Sequence, residues 1–208
     1  MRGLLSLMAA MACASAACAG DLTVSLKTAK GQPVRDAVVT VYPAAGTSGP
    51  IHFDWPYRMA QHNLQFDPFV LIVAQGAVVS FPNLDPVRHQ VYSFSPTHPF
   101  ELKLYGRDET RTVRFDKVGV VALGCNIHDS MVAFIKVVDT PYAARSGASG
   151  EASIPGAPAG AATLRIWHPY LKAPGNEIIR QVSVPREGVD RETVLLDLRT
   201  PPMAHMAY

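Results

Sequence analysis

The sequence predicts an all-β protein, and three observations carry that expectation. Beyond the first twenty residues, helical periodicity is hard to find. Short runs of β-branched and aromatic residues recur along the 208-residue chain, several of them alternating apolar and polar positions as half-buried strands do. Between the runs stand Gly, Pro, Asn and Asp, which turn a chain, and proline keeps to run edges, where a missing N–H does least harm. A chain this long can bury a proper core without disulfide staples and has room for one large domain or two small ones.

Residues 1–20 (MRGLLSLMAAMACASAACAG) combine one early basic residue, an apolar stretch from Leu4 and small residues over 14–20, followed by Asp21. This pattern predicts a cleaved secretory signal peptide, and hence a periplasmic protein. The stretch is short, rich in Ala and lacks a basic stop-transfer flank, which argues against an anchor, and Ser15 stands where a lipoprotein signal before Cys18 has Leu. No other segment is long and apolar enough to span a bilayer, so a soluble mature protein with no membrane span is expected.

Strand-like runs at 22–26 and 37–42 precede a Pro-punctuated boundary at 43–56. Runs at 69–73, 77–81, 90–94, 112–115, 119–123 and 131–138 define a middle unit of about ninety residues. The stretch 146–162 (SGASGEASIPGAPAGAA) reads as a second loop-rich boundary, with further strands at 163–167, 177–184 and 193–198. Two N-terminal strands are too few to bury a face, so the C-terminal block is expected to complete them. The organisation expected is a second, small β-sandwich formed by 21–49 and 143–200, a middle domain at 50–142 and a flexible tail at 201–208.

Charge excludes more than it assigns. Losing Arg2 with the leader leaves 18 Lys+Arg against 17 Asp+Glu, both signs scattered, and nothing points to nucleic acid or an anionic membrane as partner. Cys13 and Cys18 leave with the same segment, so Cys125 is the lone cysteine of an exported chain and cannot form an internal disulfide. An inert thiol, an intermolecular crosslink, a nucleophile and a metal ligand remain.

Its neighbours choose among these. ALGCNIHDSMVAFIKV places Cys125, His128 and Met131 in the spacing C-x2-H-x2-M on a short loop between strands, and His89 begins another strand in FPNLDPVRHQVYSF. Two imidazoles, a thiolate and a thioether suit copper in both oxidation states, and zinc less well because of the thioether. A tight loop brings three donors to the metal from one side, and a histidine on a neighbouring strand completes the set. Such a site hardly moves when copper changes oxidation state, which favours electron transfer over turnover of a substrate. One copper, bound by His89, Cys125, His128 and Met131, is expected.

The stretches FDPFVLIVAQGAVVSFPNLDPVRHQVYSF and GVVALGCNIHDSMVAFIKV resemble the cupredoxin family of blue copper proteins over about residues 55–140, with the ligand spacing of amicyanin-like members. The resemblance implies a Greek-key β-sandwich, a single type 1 copper and single-electron exchange with a redox partner protein such as a dehydrogenase or a cytochrome. The whole chain resembles proteins labelled methylamine utilization proteins, through GQPVRDAVVTVYP and IPGAPAGAATLRIWHP, which look like a transthyretin-like or carboxypeptidase-regulatory-like sandwich. In cupredoxins polar residues beside the first histidine and beside the cysteine often tie the ligand segments together; here the candidates are Gln90 and Asn126. Asn83 and Asp85 read as turn formers ahead of the ligand strand.

Other donors are assigned plainer roles. His168, between Trp167 and Pro169, reads as part of an aromatic corner, and His52, His62 and His98 as solvated loop residues, although His52 and His62 could share a second metal. Met203, His205 and Met206 form a soft set on a frayed terminus. His128 or His89 could activate Cys125 as a nucleophile, but nothing suggests an oxyanion hole or substrate pocket, and no enzyme is expected. The alternative to electron transfer is periplasmic copper binding and delivery.

Overall fold

In the computed structural model, which describes residues 19–47 and 49–201, every element longer than one short 3-10 turn is a β-strand, as the all-β expectation requires. The expected leader and tail therefore lie outside the described residues, except for Ala19 and Gly20, which open the first strand, and Pro201. Among the described residues no helix is long and apolar enough to cross a membrane.

The chain opens with β1 (Ala19–Lys27) and β2 (Val38–Pro43). A middle region follows with β3 (Ala60–His62), β4 (Gln65–Asp67), β5 (Val70–Ala74), β6 (Ala77–Pro82) and β7 (His89–Ser93). It continues through β8 (Phe100–Tyr105), β9 (Thr110–Phe115), β10 (Gly119–Gly124) and β11 (Val132–Val138). The last part holds β12 (Ala143–Arg145), β13 (Glu151–Pro158), β14 (Gly160–Trp167), β15 (Glu177–Val184) and β16 (Val189–Leu195).

The N-terminal strands find their partners late in the chain. β1 lies between β13 and β16, and β2 between β12 and β14, with β15 beyond. Alternation in β1 turns Leu22, Val24 and Leu26 inward, and these pack with Val39, Val41, Ile154, Leu164, Ile166 and Val194 in one buried cluster shared by both sheets. The stretch 146–162 is corrected here: it is no loop but carries β13 and the start of β14. Ala152, Ile154 and Ala157 face the core, and small residues suffice there because β1 lies close against β13. β8 was missed as a strand, and β16 begins earlier than expected.

The middle region builds a five-stranded sheet in the order β5-β11-β10-β7-β8, with the pairs β6–β9 and β3–β4 beside it. Its core gathers Phe66, Leu71, Val73, Phe81, Tyr105, Phe115, Ile135 and Val137. β5 is buried along its whole length, which explains its unbroken apolar run. Leu71 and Val73 face this core, whereas Val70, Ile72 and Ala74 face a second cluster with Val38, Phe53, Val138 and Trp167 that joins the middle region to the outer sheets. Trp55, stacked on Phe53 at 4.5 Å, donates its indole N–H to the Ile72 carbonyl at 2.8 Å. Across the same junction Lys136 pairs with Glu177 at 3.0 Å and lies over the Trp167 ring.

We propose that residues 50–142 form a separable domain. Expressed alone, they should melt cooperatively yet bind an apolar dye that the intact protein ignores, because excision uncovers Val70, Ile72 and Ala74. A product without cooperative melting would show that the two parts fold only together.

His168 is buried at this junction and stands edge-on to Tyr170 at 5.7 Å, the aromatic corner expected. Burial pushes its pKa down to about 4, against the pull of Asp36 and the Arg35 backbone. A histidine depressed in the folded state binds its proton first in the unfolded chain, so its stability contribution is lost as pH falls from about 6.5 towards 4. The loss expected is on the order of 3 kcal/mol. Urea unfolding of the metal-free protein at pH 7 and pH 4 should show a drop that shrinks in His168→Gln; an equal drop in both proteins would contradict the assignment.

Candidate metal centre

Strand register brings the candidate donors together. In the β10–β11 hairpin Gly124 pairs with Val132, so the next opposed positions are Cys125 and Met131. Each has the parity of core-facing neighbours, Leu123 for the cysteine and Ala133 for the methionine, so both sulfur side chains turn into the core and are almost fully buried, at 2% and 1% exposed. Between them the loop turns back on itself, the Met131 N–H donating to the His128 carbonyl at 2.9 Å. His128 stands on this loop and is half-buried.

β7 supplies the remaining donor. It runs antiparallel to β10 with Tyr92 paired to Gly124, which sets its first residue, His89, at the same end of the sheet as Cys125. A Cβ on Gly124 would lie 2.6 Å from the Tyr92 ring, so glycine lets that ring lie against the β10 backbone. Strand alternation turns His89 and Val91 to the same inner face, and His89 is fully buried; the extra residue in the pairing lies on β8, between Leu102 and Tyr105.

The three donor atoms form a compact triangle. Cys125 Sγ is 3.9 Å from His89 Nδ1 and 3.8 Å from His128 Nδ1, and the two nitrogens are 3.2 Å apart. The circle through these atoms has a radius of about 2.1 Å, close to the bond from a first-row metal to imidazole nitrogen or thiolate sulfur. Among the described residues this is the one group of three His, Cys, Asp or Glu donors close enough to hold an ion. Met131 is buried in the same cluster as Cys125, at the position opposed to it across the hairpin. The residues therefore fit a soft or borderline metal in a site from which water is largely excluded.

Asp85 is the turn former expected, and it does more. Its N–H donates to Asn83 Oδ1 at 2.9 Å, which is the turn, but its buried carboxylate accepts from the Asn63 and Leu64 amides and lies 2.8 Å from His89 Nε2. Burial works to raise the Asp85 pKa, yet the Leu64 amide, His89 and the Asn63 amide outweigh it and hold the carboxyl below its usual range. Burial depresses the His89 pKa, against Asp85 and with the help of His128, so the ring is held neutral. With its Nε2 proton given to Asp85, the lone pair of His89 is on Nδ1, the atom facing the cysteine and His128. The spacing D-x3-H across a turn was the available signal for this role.

The expected tie between Gln90 and Asn126 is not made among the described residues. Gln90 donates to Glu101 on β8, and Asn126 is exposed on the ligand loop. His98 is also corrected: its ring packs on Phe115 at 4.7 Å and is not simply solvated. His52 and His62 are exposed and share no such donor group, and Met203, His205 and Met206 lie outside the described residues.

No protein-family model and no curated protein matches the chain. Solved structures similar to parts of it include a purple cupredoxin from Nitrosopumilus maritimus, 18% identical, covering 39% of this chain and 98% of its own, with a TM-score of 0.36. A reduced variant of amicyanin is 16% identical over 50% of this chain and 99% of its own, at a TM-score of 0.38. A Cu-containing nitrite reductase from Thermus scotoductus is 24% identical over 56% of this chain, which spans only 28% of that enzyme, at a TM-score of 0.39.

If Asp85 fixes His89, Asp85→Ala should weaken copper binding by about 10–100-fold in a chelator competition. Asp85→Asn, which keeps a hydrogen-bond acceptor, should fall between. Unchanged affinity in the alanine variant would remove the role.

Proposed function

We propose that the protein is a periplasmic carrier of single electrons, built around one type 1 copper held by His89, Cys125, His128 and Met131. The observation that supports this most is the donor triangle, whose three atoms already lie about one metal–ligand bond length from a common centre. Copper in that place supplies a one-electron couple between its +1 and +2 states.

The chain's own residues supply the conditions for fast exchange. Strand register fixes Cys125 and Met131, and Asp85 fixes His89, so the donors need little rearrangement between oxidation states. Burial of His89, Cys125 and Met131 keeps water out, which protects the thiolate and lowers the reorganisation of solvent. His128 is the donor that reaches towards solvent, and it is the edge through which an electron leaves.

The loops of this end of the molecule carry exposed apolar side chains. Leu64, Leu84, Val87 and Ile127 are 45%, 37%, 42% and 52% exposed; Leu64 lies on the turn whose amides meet Asp85, Leu84 and Val87 on the loop that leads to His89, and Ile127 beside His128. Exposed apolar side chains of this kind suit brief contact with a redox partner protein, a dehydrogenase or a cytochrome, and the protein itself turns over no substrate.

The test is the visible spectrum of the purified protein with Cu(II), followed by voltammetry. An intense charge-transfer absorption towards the red, absent in Cys125→Ser, and a reversible one-electron wave are expected. A colourless protein with a titratable thiol, or a coloured one with no reversible couple, would refute the reading.

A further inference from the structure

The two-residue turn between β3 and β4 holds its backbone against preference. Asn63 and Leu64 both lie in the left-handed region, at φ 56° and 58°. Asparagine tolerates that region, whereas a leucine there is an outlier, and glycine is the residue that such a hairpin turn favours. Leu64 is 45% exposed, so burial of its side chain offsets only part of the strain. What the turn aims at accounts for its shape.

It aims two successive amides at one carboxylate. The Asn63 N–H donates to Oδ1 of Asp85 at 2.7 Å and the Leu64 N–H to Oδ2 at 3.0 Å. Successive amides turned to a common point form a concave anion site, here filled by a side chain from the loop between β6 and β7. That loop is tied to β3 a second time, the Leu84 N–H donating to the Gln61 carbonyl at 2.9 Å. Oδ2 has a further partner, because His89 Nε2 lies 2.8 Å from the same atom. The turn and the candidate ligand therefore share one oxygen, on a side chain only 6% exposed. With water largely excluded, what one donor does to that oxygen is felt by the other.

We propose that Leu64 is a positioning residue of the metal centre: its backbone N–H draws charge from the oxygen that accepts the His89 proton, and so limits how strongly that ring donates to copper through Nδ1. The inference rests on the copper reading above. Without this amide, Oδ2 pulls harder on the Nε2 proton and the ring becomes more electron-rich. A more basic imidazole favours Cu(II) over Cu(I), so the midpoint potential falls. The role belongs to the backbone, and the left-handed conformation is what delivers the N–H to Oδ2.

The experiment replaces the Leu64 amide by an ester, with the α-hydroxy acid of leucine built into the full chain; this deletes one N–H and keeps the side chain. Leu64→Val, whose β-branch resists a left-handed backbone, turns the same amide away, and Leu64→Gly keeps it. An ester at Gly31, whose N–H closes an exposed turn after β1 on the Thr28 carbonyl, is the control. After copper loading, the ester at position 64 and Leu64→Val should lower the midpoint potential and move the charge-transfer absorption. Leu64→Gly and the ester at Gly31 should leave both in place. In the Asp85→Ala background the ester at position 64 should have no further effect, because it acts through that carboxylate. If wild type shows no thiolate charge-transfer absorption, the copper reading falls and takes this inference with it. If wild type shows it and the ester and valine variants keep or raise the potential, or the ester shifts it equally without Asp85, this inference alone is overturned.

Discussion

The arrangement of the middle region depends on the pairing of Gly124. This one residue is opposed to Val132 on β11 and to Tyr92 on β7, so it sets the register of three adjacent strands. A slip of one residue would turn Cys125 and Met131 to the opposite face of the sheet and carry His89 away from them. The Tyr92 ring lies against the Gly124 backbone, where a Cβ would displace it. Donor geometry is therefore a property of the sheet, and the loop inherits it.

A donor cluster this well buried costs free energy in the metal-free protein, and the chain offsets that cost through hydrogen bonds. Asp85 is a buried carboxylate, but two backbone amides and one imidazole meet its oxygens, so its charge is compensated where it stands. Asn83 uses both ends of its carboxamide to join the Asp85 turn to β8. The β3–β4 hairpin, the β6–β7 loop and β8 are thus tied into the support of one histidine.

The outer sheets act on the site at a distance. They cover the second face of β5, next to β11, which carries the residues after Met131. The Lys136–Glu177 pair and the aromatic contacts of Phe134 and Trp167 fasten β11 from the side opposite the core. A ligand hairpin held on both faces has little freedom to open.

The fold class and the C-x2-H-x2-M part of the ligand set were legible in the sequence because both are local; His89, 36 residues before Cys125, could be named only as a candidate partner. Strand alternation, turn residues and the C-x2-H-x2-M loop are read within a few positions of one another. Which distant groups support the site emerges from the folded chain alone. Asp85 looks like any turn aspartate until the loop folds its carboxylate onto His89, and Gln90, sequence neighbour of that histidine, turns to Glu101 instead. The stretch 146–162 looked like a linker because Gly, Ala and Pro carry little strand propensity. It pairs with β1 because a neighbour more than a hundred residues earlier supplies the hydrogen bonds and the apolar surface. Propensity and spacing act along the chain, whereas hydrogen-bond partners and burial are set by what the folded chain brings alongside.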